Sequence, residues 1–311
     1  MSFFAILFAL IAEQIKPLSS SHTLSQLMRE WMQWMAKTLD AGGRKQAWLA
    51  WWLTVVLPAL VAWLVHTALL QTLGWFVAMV WNVALLYLTL GFRQFSHHFT
   101  DIREALNMGD EQKARELLAE WQHVDVGQIS RTEIMRHVIE QSVLAAHRHV
   151  FGVFFWYSVM SVVGLGPLGA VIYRLAATLP RNWSHDNPSL LDVSRQAWRV
   201  VDWLPARATA LGFAVVGSFE EAMEGWRFHA QKFPQDNDGV ILAATAGAIN
   251  VQLGGADLNA DANAEDKHDS SSTPGQHITL AHFAQVVGLV WRSVVMWLVL
   301  LALLTMANLL G

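Results

Sequence analysis

Three side chains in one segment have the types and the spacing of a metal site. Glu133, His137 and Glu140 follow one another at intervals of four and three residues, so a helix places all of them on one face. An imidazole nitrogen and two carboxylate oxygens can bind a divalent metal ion. No HExxH or comparable motif accompanies them. We therefore interpret the face as solvated or ion-paired and predict no metal site.

The segment DWLPAR, residues 202–207, suggests a site for an anion. Its proline suits the first turn of a helix, where the missing backbone N–H would have no partner in any case. Arg207, fixed at such a helix start, could bind a carboxylate or a phosphate through two parallel hydrogen bonds. Trp203 and Arg207 are also typical of an anchor at a membrane interface, which the pattern by itself favours.

The segment FPQDNDGVILAATAGAINVQLGG, residues 233–255, combines a turn, small residues and a glycine pair. Residues 236–239 favour a turn, and we predict a helix over 240–251 that ends toward Gly254 and Gly255. The start of such a helix can bind an anion, and its small side chains allow close packing, which the composition favours. The segment is not a Walker loop, because it lacks GK followed by Ser or Thr.

Long uncharged segments must position these residues. Residues 47–92 contain no Asp, Glu, Lys or Arg, and two spans of about 20 residues fit there as a hairpin that turns within 67–74. The apolar start of the chain is short and has no basic region before it. We predict a retained span that ends around Lys16, with Glu13 facing protein, rather than a cleaved signal peptide.

Two further apolar blocks follow. Residues 150–179 are interrupted by GLGPLG at 164–169, so they form either one kinked span or two helices that meet at a break. A last span is predicted over 286–310. Arg292 lies near its start, where a long side chain can extend to the lipid headgroups.

The predicted fold is all-α: the whole chain forms an integral membrane helical bundle of about five spans in a bacterial inner membrane. Residues 93–149 are predicted to form an amphipathic helical insert. Its first helix ends at Gly109, Asp110 caps the second, and Ser130 with Glu133 forms a capping box at the third. Residues 256–276, which are rich in acids and serines, are predicted to be a disordered loop.

The composition agrees with this fold and excludes several classes of protein. Hydrophobic residues make up 54% of the chain and charged residues 15%, unlike an average soluble domain. The absence of cysteine excludes disulfides, thiolate catalysis and cysteine-bound metals. A net charge of -4, without a basic stripe among aromatic residues, predicts no nucleic-acid partner.

Taken in order, the motifs resemble the CobD/CbiB family of membrane proteins, the adenosylcobinamide-phosphate synthases, over most of the chain. QDNDGVILAATAGAINVQLGG is similar to the family's SPNaGxxxAAxAgaLgvxLGG, and DWLPARATA to its NWxPARLTA. HHFTDIREALNMGDEQKAR and the stretch that begins at Glu140 have counterparts as well. The residues kept include His98, Arg115, Glu140, Trp203, Arg207, Asn237, Gly239, Gly254 and Gly255.

The resemblance implies an enzyme that joins adenosylcobyric acid to an aminopropanol-type amine as an amide, using ATP and magnesium. It implies catalytic roles for Glu140 and for Asp125, which is retained from a family GRDT segment. The other kept residues would bind a corrinoid or another anionic small molecule. The lipid bilayer is the expected surrounding, and self-association is left open.

Several acidic positions of the family hold other residues here. Leu144 and Ala145 replace a Glu-Asn pair, Arg148 replaces an Asp, and Trp198 and Arg199 replace paired Asp residues. Carboxylates of this kind hold magnesium in ATP-dependent enzymes. The chain also resembles AmpE, a membrane protein associated with β-lactamase induction, in its first span, its DWxPxR motif and its last span. The alternative prediction is therefore a non-catalytic membrane sensor or signalling scaffold.

Overall fold

In the computed structural model, all regular elements of the described residues are helices, which confirms the all-α prediction. The described residues are 2–15, 23–39, 42–122, 127, 129–183, 187–255 and 272–310. In chain order the helices are α1 (Ser2–Ile15), α2 (Thr23–Leu39), α3 (Arg44–Thr72), α4 (Trp75–Thr89), α5 (Phe92–Asn107), α6 (Glu111–Gln122), α7 (Arg131–Ala146), α8 (Gly152–Val162), α9 (Leu168–Asn182), α10 (Pro188–Val201), α11 (Trp203–Val216), α12 (Phe219–His229), α13 (Asp236–Ala248) and α14 (Leu280–Leu310). A π-helical turn, His147–Phe151, joins α7 to α8, and a 3-10 turn, Ala230–Lys232, follows α12.

The chain divides into two compact units. The first comprises Met1–Gln94, Arg148–Pro205 and Leu298–Gly311, and the second comprises Phe95–His147 and Ala206–Trp297. The insert predicted over 93–149 stays a prediction.

Two helices of the described residues are long and apolar enough to cross a membrane: α3, and α14 over Leu280–Ala307. Only 22% and 33% of their most apolar windows are buried, whereas the core helix of a soluble protein would be mostly buried. Helices α1, α4 and α11 are apolar but shorter. The prediction of about five spans therefore has two clear candidates, and the number of spans stays a prediction.

The first unit confirms the position of the turn predicted within 67–74 and the break predicted at 164–169. Helix α3 ends at Thr72 and α4 begins at Trp75, after Gly74 with a φ of 85°. The apolar block over 150–179 forms two separate helices, α8 and α9, joined through glycines with positive φ. Glu13, predicted to face protein, is buried.

Small residues let the helices of the first unit approach closely. Ala47, Ala50 and Ala59 of α3 pack in one cluster with apolar side chains of α9 and α10. Gly152 of α8 lies directly against the ring of Tyr173 in α9, where a Cβ atom would collide with that ring. The core of this unit is thus built around close helix contacts.

The second unit contains the predicted caps. Ser130 and Glu133 form a capping box at the start of α7. The carboxylate of Asp110 accepts a hydrogen bond from the Lys113 N–H at the start of α6, after Gly109 with a φ of 78°. These three helix boundaries follow the sequence signals, because each cap satisfies backbone groups of its own helix.

The predicted turn over 236–239 is wrong. These residues form the first turn of α13, which begins at Asp236 and ends at Ala248, before the predicted end at Val251. Polar and acidic residues are stabilised at a helix start as well as in turns. Gly239 serves close packing there, since a Cβ atom would meet the Ala230 carbonyl oxygen.

An extended segment follows α13. The Thr273 N–H donates to the Leu253 carbonyl over 2.7 Å, and the Gln252 N–H donates to the Gln276 carbonyl over 3.0 Å. Of the loop predicted over 256–276, residues 256–271 lie outside the described residues. Residues 272–276 are held against 250–253 by these bonds.

Candidate functional site

The structure brings together two residues that come from different motifs. The Arg207 guanidinium donates a hydrogen bond over 3.1 Å from its Nη1 to Oδ1 of Asn237. Arg207 lies in the first turns of α11, and Asn237 lies in the first turn of α13. Asn237 is buried and Arg207 is half-buried, so the pair is partly shielded from water.

The pair lies where a helix start adds positive potential. The helix dipole favours negative charge at the start of α13. The Arg207 charge reinforces that preference, while the buried carboxyl group of Asp238 opposes it. A carboxylate or phosphate group is the ligand that suits such a combination.

Two side chains of α7 bind both backbone groups of one glycine. Glu140 Oε1 accepts a hydrogen bond from the Gly254 N–H over 2.7 Å. Arg136 Nη1 donates to the Gly254 carbonyl over 2.6 Å. Arg136 and Glu140 are four residues apart on α7, so they present both groups on one face. We call these three residues the Gly254 clip.

The backbone conformation explains why glycine occupies positions 254 and 255. Gly254 and Gly255 have φ values of 85° and 113°, which other residues adopt only with strain. A Cβ atom on Gly255 would also lie 3.0 Å from Arg136 Nη1. The local backbone therefore favours glycine at both positions, and Arg136 leaves little room for a side chain at position 255.

The predicted Glu133, His137 and Glu140 face has protein partners. Hydrogen bonds from Ser130 hold the pKa of Glu133 below its ordinary value. Burial, together with the charge of Arg136, lowers the pKa of His137 from 6.5 to about 4, so this imidazole is neutral at pH 7. His137 Nε2 lies 3.0 Å from Arg136 Nη2, and its Nδ1 lies 3.7 Å from Glu140 Oε2. The face is thus hydrogen-bonded within the protein.

A small cavity of about 90 Å³ adjoins the Gly254 clip, lined in part by Arg136, Gly254 and His277. It is too small for a corrinoid. Such a ligand would require another surface.

His98 and Arg115, two further predicted residues, contact other residues of the second unit. The His98 ring stacks on Trp121, with ring centroids 5.7 Å apart. Arg115 donates to the Ile129 carbonyl over 3.2 Å and pairs with Glu111 over 3.5 Å. Trp203 is 49% exposed. Asp125 lies outside the described residues.

One contributor, Arg136, was missed at the level of sequence. Arg136 is buried in the Gly254 clip, and its position four residues before Glu140 is the signal that could have found it. His147 is fully buried, and its Nδ1 lies 2.8 Å from the Thr209 hydroxyl, which ties the end of α7 to the helix that carries Arg207. Helix α7 also packs against α13.

The acid of the DWLPAR segment has a partner in the first unit. The Tyr173 hydroxyl donates to Asp202 Oδ1 over 2.9 Å, and both side chains are fully buried. The Trp156 indole N–H donates to the carbonyl of the preceding Val201 over 3.0 Å. These bonds fix the chain where α10 gives way to α11.

The comparison with known sequences decides the family. The sequence model described as CobD/Cbib protein matches residues 4–306. The chain belongs to the CobD/Cbib family. This confirms the resemblance drawn from the motifs. A non-catalytic, AmpE-like membrane sensor or signalling scaffold stays an alternative prediction.

Relatives of this family member are named cobalamin biosynthesis protein CobD. The protein of that name from Stutzerimonas stutzeri (strain A1501) is 32% identical over 264 residues, which cover 84% of this chain and 82% of the relative. The one from Chromobacterium violaceum is 37% identical over 176 residues, covering 56% of this chain and 55% of the relative. No solved structure matches the chain.

Proposed function

We propose that this chain is a membrane-embedded protein of cobalamin biosynthesis that holds an anionic group of its substrate beside Arg207 and Asn237. The observation that carries the proposal is the 3.1 Å hydrogen bond between these two side chains at the start of α13. The two residues come from separate family-like motifs, and the relatives with matching sequences are named for cobalamin biosynthesis.

The proposed chemistry, taken from the family resemblance, is amide formation between adenosylcobyric acid and an aminopropanol-type amine. ATP supplies the phosphoryl group that converts the carboxylate oxygen into a leaving phosphate, with ADP as the other product. Arg207 would orient an anionic group through its guanidinium, and the first turn of α13 would stabilise its charge. Glu140, with Oε1 on the Gly254 N–H, is the carboxylate proposed to accept a proton from the amine.

Magnesium is assigned to no residue in this proposal. Within the described part of the chain, no three His, Cys, Asp or Glu side chains are grouped so that they could hold a metal ion. The residues that replace family acids add no ligand, since Leu144 and Ala145 are apolar and buried.

The proposed location is the bacterial inner membrane, crossed more than once. The long, mostly exposed apolar helices α3 and α14 support this location. Membrane fractions washed with alkaline carbonate test it. We expect the full chain to stay with the lipid, and release into the wash would contradict an integral membrane location.

Complementation tests the activity. In a bacterial strain that lacks its own adenosylcobinamide-phosphate synthase, we expect the full chain to restore cobalamin formation and Arg207→Gln to reduce it. Arg227→Gln, which removes an exposed arginine of α12, is the matched control and is expected to behave as the unchanged chain. Failure of the unchanged chain, despite normal amounts in the membrane, would contradict the enzyme proposal.

The second candidate is a non-catalytic membrane protein that binds the same ligand without turnover. It is favoured by the apolar, buried Leu144 and Ala145 at positions where the resemblance expects polar groups. If this candidate is right, the unchanged chain binds adenosylcobyric acid and Arg207→Gln binds it more weakly. The unchanged chain would then also fail to restore cobalamin formation in the complementation strain. Complementation by the unchanged chain would exclude it.

A further inference from the structure

A groove of about 740 Å³ lies in the second unit, at the end of α13 opposite to Asn237. Its lining combines small residues with polar side chains. Among them are Glu221, Gly247, Asn250, Gln285, Gly288 and Arg292. Gly247 lies ten residues after Asn237 in α13, which corresponds to about 15 Å along the helix axis. The groove is therefore separate from the Arg207 and Asn237 pair.

Arg292 is unusual in its helix. It is the only Asp, Glu, Lys or Arg in the sequence between Leu280 and Leu310. Its side chain is exposed, and its Nε donates to the Gly288 carbonyl over 3.2 Å. A charged side chain on a membrane helix is costly in the hydrocarbon layer, so it is expected at the level of the headgroups.

The length of α14 agrees with a position of Arg292 at the level of the lipid headgroups. Residues 293–310 follow Arg292 within α14. At about 1.5 Å per residue they span roughly 27 Å, close to the hydrocarbon thickness of about 30 Å. Trp291 beside the arginine is 40% exposed, and tryptophan is typical of membrane interfaces. The groove therefore lies at the membrane surface if α14 crosses the bilayer.

The groove carries both signs of charge. Arg292 of α14 supplies a guanidinium, and Glu221 of α12 supplies a carboxylate that accepts a hydrogen bond from the Ser218 hydroxyl. The side-chain amides of Asn250 and Gln285 add neutral hydrogen-bonding groups. A purely anionic ligand would be attracted by Arg292 and repelled by Glu221.

An apolar stripe runs along α14 beside the charged residue. Val295, Val299 and Leu303, which follow Arg292 in the chain, succeed one another at intervals of four residues and are 55%, 53% and 59% exposed. Helix geometry places them in one row next to Arg292. Acyl chains that leave the groove toward the membrane can cover this row.

We propose that the groove binds a zwitterionic phospholipid of the phosphatidylethanolamine class, with the phosphate at Arg292 and the ammonium group at Glu221. The proposal rests on the membrane location proposed above. Charge complementarity selects this occupant, because its headgroup carries one anion and one cation on a single short link. The lipid would fix the second unit at the bilayer surface.

Native mass spectrometry of the full chain in detergent, with defined lipid added back, tests the proposal. We expect phosphatidylethanolamine to be retained in preference to phosphatidylglycerol. Arg292→Gln is expected to weaken that retention about tenfold, because hydrogen bonds to charged groups contribute on that scale. Glu221→Gln is expected to abolish the preference between the two lipids. Arg227→Gln, an exposed arginine outside the groove, is the matched control.

A second arm separates a lipid from a soluble ligand with the same charges. Free phosphoethanolamine is expected to compete at least about tenfold more weakly than the lipid, because it has no chains to bury on α14. Equal competition, equal retention of the two lipids by the unchanged chain, or unchanged retention by Arg292→Gln would overturn the proposal. Each of these results, obtained with a chain that stays in carbonate-washed membranes, leaves the membrane location standing. Release of the chain into the wash would refute both.

Discussion

At the scale of single residues, Arg207 and Asn237 define the charge of the candidate site. The amide of Asn237 accepts a hydrogen bond without cancelling the arginine's positive charge. We expect Asn237→Asp to keep the contact as an ion pair and to lower the affinity for an anionic ligand by about tenfold, since a nearby carboxylate opposes it. Titration with adenosylcobyric acid measures the affinity of each variant, and a thermal melt measures its stability. Unchanged affinity with an unchanged melting temperature would contradict the assignment.

Glu140 combines a structural bond with a proposed chemical role, and a conservative substitution separates the two. In Glu140→Gln the amide oxygen can still accept from the Gly254 N–H, so we expect stability to be kept while complementation is lost. Glu140→Ala leaves that N–H unpaired and is expected to destabilise the protein by about 1–3 kcal/mol. Full complementation by Glu140→Gln would show that the carboxylate is used only in the Gly254 clip.

His137 makes stability depend on pH. Its folded-state pKa of about 4 lies below its ordinary value of 6.5, so the unfolded chain binds more protons between these values. The free energy of unfolding is therefore expected to fall as pH decreases from about 6.5 to about 4, by at most roughly 3 kcal/mol. Across this pH range, the melting temperature of His137→Gln should depend less on pH than that of the unchanged chain. The same change at exposed His97 is the control, and an equal effect there would contradict the prediction.

At the scale of elements, α12 and α13 pack through glycines. A Cβ atom on Gly225 would collide with the Ala243 carbonyl oxygen, whereas one on Gly288 of α14 meets no atom within 4 Å. We expect Gly225→Ala to destabilise the protein by about 1–3 kcal/mol through overpacking. Gly288→Ala should be neutral or stabilise it by up to about 1 kcal/mol, because alanine favours the helix. Equal melting temperatures of the two variants would show that the contact is not a tight one.

At the scale of the whole molecule, the proposed membrane location depends on the exposed apolar surface of α14. Leu303 is 59% exposed in that helix. Leu303→Lys places a charge in the candidate span, at a cost of about 2.5–3.5 kcal/mol near the helix centre. We expect it to reduce the share of chain in carbonate-washed membranes, while Leu303→Ala leaves that share unchanged. Equal shares of the two variants would contradict insertion of this helix.

Much of the architecture followed from local signals. The uncharged run over 47–92 predicted the α3 and α4 hairpin, because a turn at Gly74 needs only local backbone freedom. The capping box at Ser130 was likewise local, since it satisfies backbone groups of its own helix. The start of α13 was misread, because the same Asn and Asp residues suit a turn and a helix start.

The sequence by itself determined the helical class, the long apolar helices and the motifs that indicate the family, since periodicity, caps and charge-free length are properties of neighbouring residues. Only the tertiary structure decided that Arg207 meets Asn237 and that Arg136 joins Glu140 at Gly254. Partners such as Glu140 and Gly254 are separated by more than a hundred residues. Such contacts depend on how helices pack against one another, and no local pattern encodes that arrangement.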